Sequence, residues 1–364
     1  MSEKNFAQYM VSEREKINRT LGKVFDEMLI VEDEAFLKRF YGLTRDFFLR
    51  GGRRVLSISA VNIFRGLASD KDIMNYLDEV YKAAVSLEFL RQSQIIVDDY
   101  MDNDELRYGF PAFHRHILQA FPENYIKNPE MAKEVGGSAT VYGSFLTSFS
   151  GSEIIEKVNI PEERKKLASL AYFEGLSGIN KGYLLDEYYR VLPLEQMTLE
   201  NYLLLASLKR GKQMETAVAI GAYLANARQS QMLPLMAAMN KIGIIDQLIN
   251  DFNGTFGDPT RKSTENDIRQ GQRTILTTVA YQSANNEQKA ILNKVLGNTK
   301  ATSQEIESVK KVFQDTGAAD FVKFYANSLK NDAYTQLQKV FPGLRKEIST
   351  YFEDLMTFII TQKG

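Results

Sequence analysis

Five carboxylates are crowded into residues 98–105, directly after an apolar run. Asp98 and Asp102 are four residues apart and share one face of a helix, while Asp99 lies about 100° around it. Magnesium prefers oxygen ligands and is usually shared between protein carboxylates and substrate phosphates. The spacing therefore indicates a magnesium site for a phosphorylated substrate. A solvated acidic helix end is the alternative, but the C-terminus of a helix disfavours carboxylates.

A second acidic stretch, DQLINDFNGTFGD, occupies residues 246–258. Asn250 and Gly254 share a helix face, Asp251 lies beside them, and Asp258 follows if the helix continues. A site at the first acidic stretch needs such an element to face it across a bundle of helices. An amide oxygen can ligate magnesium, but Asn250 brings no negative charge.

Helices must position these residues, because apolar side chains recur at spacings of three and four along most of the chain. The segment 72–101 predicts a rod of roughly 45 Å. Similar patterns occur at 161–190, 199–228, 233–254, 274–297, 303–315, 318–340 and 344–361. All eight prolines are expected at helix ends, and residues 128–140 are the best candidate for a loop. We expect an all-α fold, a single-domain bundle of long helices over residues 1–364.

Composition excludes several classes of protein. The chain has 364 residues, of which 44% are hydrophobic, and it has no cysteine, so disulfides and thiolate metal sites are excluded. The 45 basic residues balance the 46 acidic ones, which leaves no net field to attract nucleic acid or an anionic membrane. The charged start is unlike a signal peptide, and no uninterrupted apolar run of about 18 residues occurs. We expect a soluble cytoplasmic protein with no transmembrane segment and no nucleic-acid partner.

Six short motifs follow one another between Gly51 and Thr274. They are GGRR at 51–54, DDYMD at 98–102 followed by LRYG at 106–109, GYLLD at 182–186, Tyr202 with Lys209, QLIND at 247–251, and Lys262 with Asp267. In this order and spacing the chain resembles the trans-isoprenyl diphosphate synthases, the polyprenyl synthetase family. The resemblance implies an all-α fold of the isoprenoid synthase type.

The resemblance also implies a reaction. Magnesium ions, three of them with diphosphate bound, would hold the diphosphate of an allylic isoprenoid, with ligands from Asp98, Asp102, Asn250 and Asp251. The allylic carbon–oxygen bond would break, and the carbocation would alkylate isopentenyl diphosphate. Catalysis would consist mostly of electrostatic stabilisation of a departing polyanion.

The family motifs assign roles to individual residues of this chain. The catalytic set implied by the resemblance is Asp98, Asp102, Arg107, Lys209 and Lys262. The substrate-binding set is Arg53, Arg54, Arg91, Arg107, Lys209, Gln247 and Lys262. Arg107, Lys209 and Lys262 would contact the allylic diphosphate, and all three positions keep a cation.

The departures from the family pattern fall mainly on the isopentenyl side. Family members use a lysine, an arginine, a histidine or glutamine, and a second arginine, where this chain has Arg53, Leu56, Arg91 and Tyr108. Two cations are lost and one is gained. Either this pocket is rebuilt or its ligand differs. The second acidic motif also departs, with Asn250 and Gly254 in place of aspartates, Tyr183 replaces a glutamine, and Arg210 replaces a threonine.

Three functions therefore stay open. The first is a synthase that condenses an allylic diphosphate with isopentenyl diphosphate. The second is an enzyme that ionises the allylic diphosphate but cyclises it, as terpene synthases do, or transfers it to another acceptor. The third is a non-catalytic partner subunit of a prenyl synthase, which would have no need of the five catalytic residues together.

Product length in this family is set by residues one turn below the first motif, here Ser93 and Gln94. Neither is aromatic, so the resemblance predicts a deep pocket and products of at least twenty carbons. An alternative is that Phe89 or Leu90 forms the floor of that pocket. The resemblance further suggests a homodimer, with a hetero-oligomer as the alternative.

Overall fold

The computed structural model describes residues 3–258 and 263–361, and helices dominate both ranges, as the apolar period predicts. The described chain divides into two compact units. Unit 1 comprises Met1–Leu176 with Ala217–Ala227, and unit 2 comprises Ser177–Thr216 with Arg228–Gly364. The all-α prediction is confirmed, and the single domain over 1–364 stays a prediction.

Unit 1 contains the first acidic motif together with the following helices. They are α1 (Glu3–Val31), α2 (Ala35–Leu49), α3 (Val55–Leu67), α4 (Asp70–Met101), α5 (Phe113–His116), α6 (Glu123–Ile126), α7 (Pro129–Lys157) and the first part of α8 (Glu162–Val191). A two-stranded antiparallel hairpin, β1 (Leu106–Arg107) and β2 (Phe110–Pro111), follows α4. A 3₁₀ turn, Ile117–Ala120, follows α5.

The core of unit 1 is aromatic. Phe25 and Phe89 stack at a centroid distance of 5.1 Å, and Phe48 packs edge-on against both rings. Ser69 fixes the start of α4, since its Oγ accepts a hydrogen bond from the Asp72 amide at 3.1 Å. The long helix that ends in the acidic motif is thus anchored by packing along its length and by a cap at its start.

Unit 2 carries the second acidic motif on a central helix. Its elements are the rest of α8, the 3₁₀ turn Leu194–Gln196, α9 (Leu199–Ala206), a π-helical turn (Ser207–Gly211), the start of α10 (Lys212–Leu224), α11 (Gln229–Phe256), α12 (Asn266–Arg269), α13 (Ile275–Ser283), α14 (Asn286–Val295), α15 (Ser303–Asp315), α16 (Ala318–Gln338) and α17 (Lys346–Thr361). Helix α11 packs against α16 and α17. Within the described ranges α11 alone is long and apolar enough to cross a membrane, yet 56% of its apolar window is buried inside the protein, as in a core helix.

Three details differ from the sequence prediction. Most of the expected loop at 128–140 is the start of α7, because Asn128 caps that helix. The paired glycines Gly136 and Gly137 do not end the helix but leave room for bulky neighbours. Pro234 lies inside α11, where its missing N–H costs one hydrogen bond near the helix start. The segment 274–297 forms α13 and α14, separated by Asn285, which caps α14.

Candidate active site

The first acidic motif lies at the C-terminal end of α4. Asp98 is half-buried in the last turn, and Asp102 follows as the capping residue, also half-buried. The Asp102 amide donates to the Asp98 carbonyl at 2.9 Å, so helical geometry persists through the motif. Both carboxylates therefore lie on one face of the end of α4, as the spacing predicts.

Asp99 has a different role from its neighbours, because its side chain is completely buried. Its carboxylate accepts from Arg107, with Nε to Oδ2 at 3.0 Å and a second contact from Nη2 to Oδ1. Arg107 also lies 3.7 Å from Asp104. This bidentate pair ties the hairpin to the end of α4 and directs the cation of Arg107 along the motif.

Arg54 is withdrawn from solvent. Its guanidinium donates to Glu88 at 2.8 Å, to Asn18 at 2.8 Å and to the carbonyl of Phe48. Its side chain has no exposed surface, so we omit Arg54 from the diphosphate-binding set proposed below. Arg53, the preceding residue, is exposed.

The altered isopentenyl positions differ in accessibility. Leu56 is buried at 2% exposure, whereas Arg91 is half-buried on α4. Tyr108 is 41% exposed and occupies the turn of the hairpin. Tyr108 and Gly109 have φ values of 56° and 79°, the positive pair that a two-residue type I′ hairpin requires.

The aspartate of the second motif is the centre of a buried network in unit 2. Asp251 is 4% exposed and accepts from Tyr202 Oη at 2.8 Å, from Gln247 Nε2 at 2.7 Å and from the Ile275 amide at 3.2 Å. Burial, followed by the negative charge of Asp267, raises its pKa to about 6. Tyr202 has a pKa well above its ordinary value because it is buried next to this carboxylate.

Lys209 lies on the π-helical turn between two partners from α8. Its ammonium contacts the carboxylate of Asp186 and lies 4.4 Å from the centroid of the Tyr183 ring. Tyr183 thus supplies a cation–π contact at the position where the family has glutamine. The close packing of α8 depends on Gly182, whose added Cβ would lie 2.9 Å from the Lys209 amide.

The remaining residues of the second motif are less enclosed. Asn250 is half-buried on α11, Gly254 is buried, and Asp258 is exposed. Arg210, next to Lys209, donates from Nε to Gln247 Oε1 at 3.4 Å. Lys262 lies outside the described residues, and its predicted catalytic and substrate-binding roles stay predictions.

The oxygen atoms that each motif offers fit a magnesium ion whose remaining ligands are water and substrate oxygens. Among residues 3–258 and 263–361, no group of three or more His, Cys, Asp or Glu side chains is placed to hold a metal. A carboxylate has about four acceptor positions, and the network fills three on Asp251, so one remains. A few protein oxygens in each motif suit an ion that takes one or two carboxylates and otherwise binds phosphate and water.

Ser93 and Gln94 are both buried in α4. Ser93 Oγ donates to the Leu90 carbonyl at 2.8 Å, and Gln94 Nε2 donates to Ser93 Oγ at 3.2 Å. Ser144 of α7 donates to the Ser93 carbonyl at 2.9 Å. Ser93 therefore lies at the contact of α4 with α7, and its role in setting product length stays a prediction.

Sequence reasoning missed three contacts: the pairing of Asp99 with Arg107, the burial of Arg54 on Glu88, and the Tyr183 ring beside Lys209. Only the first left a usable signal, since an acidic run followed by an arginine suggests an internal ion pair. The other two depend on how separate helices pack.

These features define the class: an all-helical chain whose carboxylates and cations at helix ends suit a phosphorylated substrate and magnesium. The family model described as polyprenyl synthetase matches residues 38–315, about three quarters of the sequence, so the chain belongs to the polyprenyl synthetase family.

Individual relatives agree over most of their length. The short chain isoprenyl diphosphate synthase of Methanocaldococcus jannaschii is 24% identical over 310 residues, covering 80% of this chain and 83% of that protein. The geranylfarnesyl diphosphate synthase of Aeropyrum pernix is 24% identical over 343 residues, covering 93% and 97%. The fold is shared with a geranylgeranyl pyrophosphate synthase from Corynebacterium glutamicum, solved with isoprenyl diphosphate and magnesium, at a TM-score of 0.84, 23% identity, and coverage of 95% and 98%.

Proposed function

We propose that this chain is a magnesium-dependent prenyltransferase that condenses an allylic isoprenyl diphosphate with isopentenyl diphosphate to a trans-polyprenyl diphosphate of at least twenty carbons. The observation that carries the proposal is the state of the first motif. Asp98 and Asp102 are half-buried on one helix face, while Asp99 is kept apart from them by Arg107. The family membership and the relatives named above support the same reaction.

Each unit carries a cation that its own neighbours orient. In unit 1, Arg107 is already oriented by Asp99 and needs little reorganisation to meet an anion. In unit 2, Lys209 is held by Asp186 and Tyr183. Bound magnesium, with ligands from Asp98, Asp102, Asn250 and Asp251, would supply Lewis-acid stabilisation of the departing diphosphate.

Arg53 and Arg91 supply the cations of the isopentenyl side. Arg53 is exposed and Arg91 half-buried, so both can reach a ligand, whereas Leu56 is buried and carries no charge. Charge-assisted hydrogen bonds contribute about 1.5–3 kcal/mol each. Two arginines therefore retain a substantial part of the binding that four polar groups would provide.

A second candidate is transfer of the allylic group without isopentenyl diphosphate, either by cyclisation or to another acceptor. The observation that favours it is the loss of cations at Leu56 and Tyr108. A non-catalytic partner subunit is the third candidate. The oriented cations Arg107 and Lys209 argue against it.

The test is incubation of the purified chain with magnesium and farnesyl diphosphate, with and without isopentenyl diphosphate, followed by mass analysis. Longer diphosphates should form only when isopentenyl diphosphate is present. Asp98→Asn should lower the rate at least about 100-fold, because one of the carboxylates that would hold magnesium is lost. Asp78→Asn, at an exposed position on the same helix, is the matched control and should leave the rate unchanged.

The other outcomes identify the alternatives. Hydrocarbon or alcohol released without isopentenyl diphosphate, and lost in Asp98→Asn, would assign the chain to the second candidate. Bound farnesyl diphosphate with no turnover in either mixture would favour the partner subunit. A cytoplasmic location also stays a prediction.

A further inference from the structure

Tyr108 lies flat against the glycine pair that precedes Arg53. A Cβ added to Gly51 would lie 2.5 Å from Tyr108 Cγ and 2.7 and 2.9 Å from its two Cδ atoms. A Cβ added to Gly52 would lie 3.7 Å from Tyr108 Oη. The ring therefore fills the space where a Gly51 side chain would lie, and its hydroxyl lies beside Gly52.

The backbone has positive φ angles at both contacting segments. Gly52 has φ +99°, a value that L side chains rarely adopt. Tyr108 has φ 56°, which is uncommon for a bulky residue. The hairpin turn thus has an aromatic residue at position 108, where a glycine would adopt the same φ without strain.

A second contact fastens the same loop to the hairpin. Arg50 donates from Nη1 to the Pro111 carbonyl at 3.3 Å, and its guanidinium lies 5.3 Å from the Phe110 ring centroid. On the other side of Arg53, Arg54 is fixed by its buried bonds to Glu88, Asn18 and the Phe48 carbonyl. The exposed Arg53 is thus held between an anchor on each side.

We propose that Tyr108 is a positioning residue for the acceptor diphosphate: its ring fixes the Gly51–Gly52 loop so that Arg53 is oriented for the ligand before binding. This inference rests on the proposed function, since it takes isopentenyl diphosphate as the acceptor. An arginine at position 108 would contact a diphosphate directly. The tyrosine instead holds the neighbouring cation, Arg53, in place. It thereby lowers the entropy cost of ordering that side chain when the ligand binds.

Two variants distinguish the effect of the Tyr108 ring from the effect of the turn conformation. Tyr108→Gly keeps the positive φ that the turn needs and removes the ring, whereas Tyr108→Phe keeps the ring contact and removes only the hydroxyl. We expect Tyr108→Gly to weaken isopentenyl diphosphate binding about 10-fold or more, the loss of roughly one charge-assisted hydrogen bond. Tyr108→Phe should stay within about 2-fold of the parent chain.

The experiment is calorimetric titration of isopentenyl diphosphate into the full chain and both variants in EDTA, together with elongation kinetics in magnesium. The KM for isopentenyl diphosphate should rise in Tyr108→Gly, while the KM for farnesyl diphosphate and the thermal midpoint stay unchanged. Equal isopentenyl affinity in the parent chain and Tyr108→Gly would overturn the inference, as would absence of binding in the parent chain.

Failure of the inference is distinguishable from failure of the proposed function. If the parent chain elongates farnesyl diphosphate and Tyr108→Gly has an unchanged KM for isopentenyl diphosphate, only the role of Tyr108 is wrong. If the parent chain binds isopentenyl diphosphate more tightly than Tyr108→Gly does but forms no longer product, the elongation reaction is wrong and the positioning role stands.

Discussion

Burial separates the carboxylates of the two acidic motifs into different chemical roles. Asp98 and Asp102 are half-buried at the end of a helix, whereas Asp99 and Asp251 are almost fully enclosed and accept hydrogen bonds from protein donors. The enclosed carboxylates orient other groups: Asp99 holds Arg107, and Asp251 joins α11 to the start of α13 through the Ile275 amide.

The pKa of Asp251 gives a prediction about stability. Burial raises that pKa from 3.8 to about 6, so the folded protein binds a proton that the unfolded chain releases between these pH values. The resulting stabilisation is fully present below pH 3.8 and is lost as the pH rises through about 6. Asp251→Asn, which is permanently neutral, should lack this dependence. The shift corresponds to about 3 kcal/mol.

Urea denaturation in EDTA, repeated from pH 4 to pH 7, measures this difference. The free energy of unfolding of the parent chain should fall relative to that of Asp251→Asn across this range. Asp78→Asn, at an exposed site, should follow the parent chain. Parallel curves for the parent chain and Asp251→Asn would show that the Asp251 pKa is not raised.

The sequence predicts the placement of Asp98 and Asp102 because an i, i+4 spacing on a long helix has one geometric outcome. It does not predict the environment of Tyr108 or Tyr183. The Tyr108 ring meets Gly51 only after a hairpin folds back beside the end of α2, and the turn lacks the Asn-Gly or Asp-Gly pair that signals such a hairpin. The Tyr183 ring meets Lys209 through the packing of α8 against the π-helical turn.

At the scale of helices, the places where two backbones touch leave no room for an added side-chain atom. A Cβ on Gly221 of α10 would lie 2.2 Å from the Ala60 carbonyl oxygen of α3. No flexible side chain can move aside there, so the two helices must separate.

We predict that Gly221→Ala lowers the free energy of unfolding by about 2–3 kcal/mol, in the range of overpacked cores. Gly42→Ala is the matched control, since it lies inside α2 with no heavy atom within 4 Å of the added Cβ. That substitution should stabilise the chain by about 0.5–1 kcal/mol through helix propensity. Urea denaturation of both variants measures the effects, and a Gly221→Ala variant as stable as Gly42→Ala would contradict the close approach.

Close approach also explains why the loop prediction at 128–140 is wrong. Gly136 and Gly137 read as helix-breaking in the sequence, yet the Tyr100 ring and the His114 carbonyl occupy the space that side chains would take. Composition alone does not distinguish a glycine that ends a helix from one that admits a neighbour. The spacing of apolar residues, in contrast, closely predicts where α4 and α8 begin and end.

At the scale of the molecule, unit 1 exposes a large apolar surface on α7 and α8. Tyr142 is 73% exposed, Phe145 58%, Phe149 57%, Leu170 54% and Phe173 45%. The two helices are antiparallel neighbours, because Tyr172 Oη donates to the Ser148 carbonyl at 2.8 Å and Ser169 Oγ, earlier in α8, donates to Glu156, later in α7. Contiguous apolar surface of this kind marks an interaction site on a protein.

We predict that this surface forms the homodimer interface suggested by the family resemblance. Phe149→Glu should convert a dimer to a monomer in size-exclusion chromatography with light scattering, because an interface core disfavours an unpaired charge. Met74→Glu, at an 82% exposed position near the start of α4, should leave the mass unchanged. A monomeric parent chain, or a dimer that survives Phe149→Glu, would count against this interface.

The π-helical turn has a consequence for how the chain tolerates changes in length. The Lys212 amide donates to the Ser207 carbonyl five residues back, so Ser207–Gly211 holds one residue more than an α-helical turn. Deleting a single residue there would convert this bond to the α-helical spacing and remove the wide turn, while the helix on either side would keep its faces, because the turn absorbs the extra residue locally. The register of Lys209 against Asp186 therefore depends on a one-residue insertion, which substitutions elsewhere in the helix cannot reproduce.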